Sequence, residues 1–223
     1  MWVAFTLRKS AVADFMIFKT GFAMIDSVEA LRRVYSQPKG RAVRKQIDHI
    51  DVHCARFIAL SPFVVIASSD KEGALDASPR GGTPGFVRVA NAHTLLIPDS
   101  PGNNRLDTLT NIIATGTAGL LFMIPGVDET LRVNGRARLN DEASMLARFA
   151  DEKRTPKLVI EITVIDAYLH CAKAFMRSQL WSPASMLDRA ALPTMGEMLS
   201  DQTGQPGAPE TQAEMRARYA VDL

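Results

Sequence analysis

Residues 130–139 constrain this chain more than any other stretch. Leu131, Val133, Gly135, Ala137 and Leu139 alternate strictly with Arg132, Asn134, Arg136 and Arg138. Side chains leave a strand on opposite faces at each step, so the spacing predicts a strand with one buried and one wet face. Such a strand needs neighbours, and the sequence offers them. Phe63-Val64-Val65-Ile66-Ala67 reads as a buried strand, residues 70–73 as a polar hairpin turn, and 75–78 as the return strand, closed by Pro79-Arg80-Gly81-Gly82. Residues 86–89 and 94–97 pair around Asn91-Ala92, 119–124 is stopped by Pro125-Gly126, and 158–165 alternates again. About six or seven short strands with few helices between them predict a mainly β (α+β) chain built on an antiparallel barrel.

The remaining segments read as helices and connectors. Residues 27–35 form a helix with Ser27 as N-cap. Residues 41–60 carry Val43, Ile47, Ile50, Cys54, Phe57 and Ile58 at helical spacing, which predicts one amphipathic helix. After strand 94–97, Pro98, Pro101 and Gly102 force a loop. Asn104 is then the expected N-cap, with Asp107 as its capping partner, and Leu106, Leu109, Ile112 and Ile113 define the helix face. This loop offers backbone N–H groups at a helix N-terminus beside Arg105, an arrangement suited to a phosphate; an ordinary capped turn is the plainer alternative. Residues 141–150 form a short helix and 167–181 a further one. The Gly/Pro-rich stretch 202–212 reads as a linker or mobile tail, with Ala213, Met215, Ala217, Tyr219 and Val221 beyond it as a short helix or strand that docks in the alternative. Residues 1–23 show neither a clean apolar core nor a cleavage site, which fits an extension or a start misassigned ahead of Met24.

Composition narrows the function classes. A net charge of +2 on 223 residues gives no bulk attraction to nucleic acid, and no apolar run reaches membrane-spanning length. With 47% hydrophobic and 22% charged residues, one domain with appendages is expected. Cys54 and Cys171 make no disulfide framework, so a reducing, cytoplasmic setting is expected. His49 and His53 stand one helical turn apart without a third ligand, so no metal site is expected.

Several motifs together resemble one family. They are Phe57-Ile58-Ala59-Leu60-Ser61-Pro62-Phe63, Asp76-Ala77-Ser78-Pro79-Arg80-Gly81, Pro84-Gly85-Phe86-Val87-Arg88-Val89 and Pro101-Gly102-Asn103-Asn104-Arg105-Leu106-Asp107. Leu96-Ile97-Pro98-Asp99, Leu121-Phe122-Met123-Ile124-Pro125-Gly126, Glu129-Thr130-Leu131-Arg132-Val133-Asn134-Gly135-Arg136-Ala137 and His170-Cys171-Ala172-Lys173, with Arg177-Ser178 and Leu180-Trp181, complete the set. The chain resembles the pyridoxamine 5'-phosphate oxidase-like flavoproteins, in their bacterial branch of unassigned substrate, over residues 24–185. The resemblance implies an antiparallel split β-barrel with flanking helices, a homodimer, and FMN held in clefts at the dimer interface. The chain then divides into an extension (1–23), the FMN-binding barrel with its N-terminal helices (24–185) and a C-terminal tail (186–223).

The resemblance also implies site residues. Asn103, Asn104 and Arg105 occupy the loop that holds the FMN phosphate, where the oxidase proper carries Ser-Arg-Lys; only one cation is kept here. Arg80, with Ser78, occupies a second phosphate or ring contact. Thr130 reaches the flavin from its strand, Asp99 lies near the ribityl chain, and Arg177 and Trp181 belong to a segment that covers the flavin. Each has a bland alternative: Arg80 as a tie within a turn, the asparagines as turn formers, Trp181 as core. The implied function is an FMN-dependent oxidoreductase of unknown substrate; a non-catalytic flavin binder and a haem-handling protein are the alternatives. The C-terminal Arg-x-His pattern of the true oxidase is absent, which argues against vitamin B6 synthesis.

Overall fold

The computed structural model describes residues 24–99, 102–204 and 207–221. The expected extension 1–23 therefore lies outside the described residues, as does Pro101 of the loop before the central helix. The chain divides into two compact units, 1–43 and 44–223. In the first, helix α1 (Val28–Val34) starts at Ser27, whose side chain accepts from the Ala30 amide at 3.1 Å. The short helix α2 (Arg41–Arg44) ends as the second unit begins.

The second unit is built on one seven-stranded antiparallel sheet. Its strands are β1 (Phe63–Ser69), β2 (Leu75–Gly81), β3 (Arg88–Asn91), β4 (Thr94–Pro98), β5 (Thr117–Met123), β6 (Thr130–Asn140) and β7 (Val159–His170). Their order is β2-β1-β5-β6-β7-β4-β3, so β2 and β3 are its two ends and the barrel stays open, as a split barrel does. The alternation read in 130–139 is obeyed: Leu131, Val133, Gly135 and Ala137 are buried while Arg132, Arg136 and Arg138 are exposed.

The sheet curls around an apolar core. Val64, Ile66, Leu120, Phe122, Leu131, Val133, Ile160 and Ile162 meet there with Leu95 and Ile97. Burying each such side chain is worth about 1.5–3 kcal/mol relative to leaving it in water. Two helices plug this core. Helix α3 (Val52–Leu60) supplies Cys54 and Ile58, and helix α4 (Asp107–Thr115) supplies Leu109 and Ile112. A smaller cluster of Leu96, Phe149 and Val159 lies on the other side of β4, which explains why β4 is apolar at consecutive positions. Helix α5 (Ala143–Leu146) and the 3-10 turn Ala147–Phe149 deliver Phe149, and the Arg88 guanidinium covers its ring at 4.6 Å.

Several expected boundaries move, each for a local reason. The helix expected over 41–60 is broken. Ile47 exchanges two backbone hydrogen bonds with Ala167, at 3.0 and 2.7 Å, and Asp51 starts α3 by accepting from the Cys54 amide at 2.8 Å. Strand β2 runs on through Pro79 and Arg80 to Gly81 instead of closing at 78, because Arg80 pairs with Val64. Strand β7 runs five residues past 165, into the segment read as helix, and only α6 (Lys173–Ser178) follows. The cause is a bulge: Asn134 pairs with Asp166 and Gly135 with Val164, leaving Ile165 unpaired. The buried positions change phase there, from Ile160, Ile162 and Val164 to Ala167. Gly135 permits the close approach, since a Cβ would meet Ile162 Cγ2 at 2.7 Å and run into the Thr163 carbonyl. In the region read as a tail, α7 (Met195–Thr203) and α8 (Gln212–Ala220) form, each opened by a complete capping box, Thr194 with Glu197 and Thr211 with Glu214. Among the described residues no helix is long and apolar enough to cross a membrane.

Candidate functional site

The hairpin β1–β2, the end of β4 and the start of α4 surround a cleft of about 1350 Å³. One carboxylate ties its floor together. Asp76 on β2 accepts from Ser78 Oγ at 2.8 Å, from Thr108 Oγ1 of α4 at 2.5 Å and from Ser68 Oγ of β1 at 3.3 Å. Asn111 Nδ2 in turn donates to Ser68 Oγ at 3.1 Å. Ser68, Thr108 and Asn111 are all buried, so these bonds form where water competes little.

The loop above the floor is shaped by its asparagines. Asn103 Oδ1 accepts from the Arg105 amide at 3.0 Å, an Asx turn. Asn104 has φ of 59°, a left-handed conformation that asparagine tolerates better than most residues. The expected N-cap role of Asn104 is therefore corrected. The helix starts two residues later than that cap requires, with Leu106 at the N-cap position and no side chain capping it. Leu106 and Ile113 are exposed, so the buried face is narrower than the spacing suggested: Leu109 and Ile112 with Thr108 and Asn111.

Charge in the cleft is mixed. Arg105 donates Nε to Asp107 Oδ2 at 2.5 Å, and that contact holds its guanidinium pKa above the ordinary value. A guanidinium has five N–H donors, and this bond uses one. Arg80 donates to its neighbour's carbonyl, Pro79 O, at 3.0 Å. Burial pushes the Asp99 carboxyl above the usual carboxylate range, opposed by the charges of Arg80 and Lys157.

The residues named from sequence fall into two groups. Ser78, Arg80, Asp99, Asn103 and Arg105 line the cleft, with Asn104 in the same loop. Ser78 directs its proton at Asp76, so it props the floor. Thr130, Arg177 and Trp181 do not line the cleft. Thr130 is buried at the start of β6, paired with His170. Trp181 donates Nε1 to Val127 O at 3.0 Å and stacks on Phe175 at 5.5 Å. Arg177 is exposed on α6 and donates Nε to Lys173 O at 3.0 Å. Sequence reading missed Asp76, Thr108, the wall formed by residues 152–156, and Arg218 with Tyr219. Asp76 opens one of the motifs quoted above; Thr108 carried no signal, because only the fold brings it to β2.

These features define an antiparallel split-barrel protein with a polar cleft beside its central helix. The family described as pyridoxamine 5'-phosphate oxidase matches residues 50–171, and the chain belongs to that family. Among solved structures, HupZ of Group A Streptococcus is 18% identical, with 53% of this chain and 91% of that chain covered and a TM-score of 0.45. The FAD binding protein from Mycobacterium smegmatis is 13% identical, with 56% and 97% covered and a TM-score of 0.38. A pyridoxamine 5'-phosphate oxidase-related, FMN binding protein from Nostoc punctiforme is 10% identical, with 53% and 79% covered and a TM-score of 0.37. No curated protein matches the chain.

The floor network makes a prediction. Asp76→Ala leaves the Ser68, Ser78 and Thr108 hydroxyls without their acceptor, at a cost of about 2–3 kcal/mol. In a chain of this size that lowers the melting temperature by roughly 5–10 °C. Melting Asp76→Ala, with Asp76→Asn as the milder partner, checks it; an unchanged Asp76→Ala would contradict the network's role.

Proposed function

We propose that the chain binds FMN in this cleft and serves as an FMN-dependent oxidoreductase of the cytoplasm. The observation that carries the reading is the convergence, inside the family segment, of Arg80 from β2 and Arg105 from the loop before α4 on one cleft, with Asp99 and Asn103 between them in sequence. Two guanidinium forks suit a phosphate dianion, because each can donate two parallel N–H bonds. The cleft's carboxylates are largely occupied. Asp76 is held by hydroxyls and Asp107 by Arg105, while the charges of Arg80 and Lys157 oppose the effect of burial on Asp99. Bound FMN supplies hydride or electron transfer; the chain's part is to hold it, orient it and restrict water. A reducing compartment fits the two free cysteines, Cys54 and Cys171.

The open edges of the split barrel at β2 and β3 favour a homodimer. The proposed partner surface is the outward face of β5 and β6. Light scattering checks this: twice the chain mass is expected, and a single-chain mass with FMN bound stoichiometrically would contradict it.

Fluorescence titration tests the cofactor. FMN is expected to bind more tightly than riboflavin, and Arg80→Ala and Arg105→Ala are each expected to weaken FMN by about 1.5–3 kcal/mol while changing riboflavin much less. Equal affinity for FMN and riboflavin would contradict the phosphate site, and a haem absorption band in the purified protein would contradict the flavin.

A further inference from the structure

A net charge of +2 conceals an uneven distribution. Between Ala30 and Ile47 the chain carries Arg32, Arg33, Lys39, Arg41, Arg44 and Lys45 and no carboxylate, so these six cations leave −4 on the rest of the chain. Lys45 is taken up by the barrel. It donates to the Leu169 carbonyl at 2.7 Å, and its ammonium lies 5.1 Å from the centre of the Tyr168 ring. Among the described residues, none of the other five cations pairs with a carboxylate, and all five are exposed.

Helix α1 sets an apolar face beside this charge. Val28, Leu31 and Val34 recur every third residue, which puts them within about 120° of arc on one side of the helix. Glu29, Arg32 and Arg33 take the other side. Tyr35 follows at the C-cap, its amide donating to the Leu31 carbonyl at 3.0 Å. Val28, Leu31, Val34 and Tyr35 are 66, 39, 61 and 62% exposed, and α1 buries none of its residues. The complement of this arrangement is a surface with anions above and an apolar layer beneath. A nucleic acid offers the anions without the apolar layer. A bilayer with anionic headgroups offers both: aliphatic side chains enter the boundary between headgroups and acyl chains, tyrosine sits at the interface, and arginines meet the phosphates.

We propose that residues 24–44 form a peripheral anchor that lays the α1 face on a bilayer bearing anionic headgroups. The helix rests in the surface plane and does not cross, because seven residues span only about 10 Å, a third of the hydrocarbon thickness. The proposal is independent of the flavin reading, since none of these residues lines the cleft.

The test is sedimentation of the full chain with vesicles of phosphatidylcholine alone and of equal parts phosphatidylcholine and phosphatidylglycerol. The proteins compared are the parent, Arg32→Ala/Arg33→Ala and Leu31→Ser/Val34→Ser. The parent is expected to sediment with the mixed vesicles and not with the neutral ones, and less so as salt rises. Loss of the two arginines is expected to weaken binding about 25-fold, fivefold for each cation near an anionic surface. The serine pair is expected to weaken it about tenfold or more. The melting temperature without vesicles is expected to stay unchanged in both variants, since all four side chains are exposed. Absence of binding to the mixed vesicles, or equal binding by the serine pair and the parent, would overturn the anchor. A lower light-scattering mass for the serine pair than for the parent would overturn it too and assign the face to a second copy of the chain. Tighter binding to duplex DNA than to the mixed vesicles would overturn it in favour of a nucleic acid.

Discussion

The Asp76 carboxylate is the interaction on which the cleft depends. It gathers hydroxyls from Ser78 on its own strand, Ser68 on β1 and Thr108 on α4, and so joins the hairpin to the central helix. Apolar packing of Leu109 and Ile112 holds α4 in the barrel, but packing is non-directional and would tolerate a shifted helix. Hydrogen bonds to one carboxylate do not tolerate it, because each donor has to point at a fixed atom. The position of α4 sets the loop before it, and that loop carries Arg105 to the cleft that Arg80 also lines. A polar node thus specifies where two cations stand, while the apolar core supplies most of the stability.

Much of the fold was legible in the sequence where one period ran without interruption. The alternation in 130–139 marked β6 and its two faces, and the turn residues at 70–73 marked the hairpin. Legibility failed where a local event broke the period. The unpaired Ile165 flips the faces of β7, so Ala167 is buried out of phase and the alternation stops short of the strand's end, where a composition rich in Ala, Met and aromatics suggested a helix. Long-range backbone bonds between Ile47 and Ala167 interrupt a helical pattern that is otherwise continuous. Both C-terminal helices carried a Thr-x-x-Glu signal, which the neighbouring glycines and prolines of 202–212 masked. The glycines suggested a loose chain; Gly196 instead lets α7 approach residue 210, where a Cβ would meet backbone.

The site was legible in its parts and not in its grouping. Motif by motif, the sequence named Arg80, Asp99, Asn103 and Arg105, and the fold brings them to one cleft. It also named Thr130 and Trp181, which the single chain keeps elsewhere, Trp181 against the β5–β6 turn at Val127. The sequence does not reveal that Tyr219 reaches the cleft, since that depends on how a helix outside the family segment folds back.

The most direct measurement is a crystal structure of the full chain grown with FMN. The account predicts the FMN phosphate within hydrogen-bond distance of the Arg80 and Arg105 guanidiniums, with Asp76 still accepting from Ser78 and Thr108 beneath it. FMN bound elsewhere on the barrel, or a phosphate held without either arginine, would contradict it.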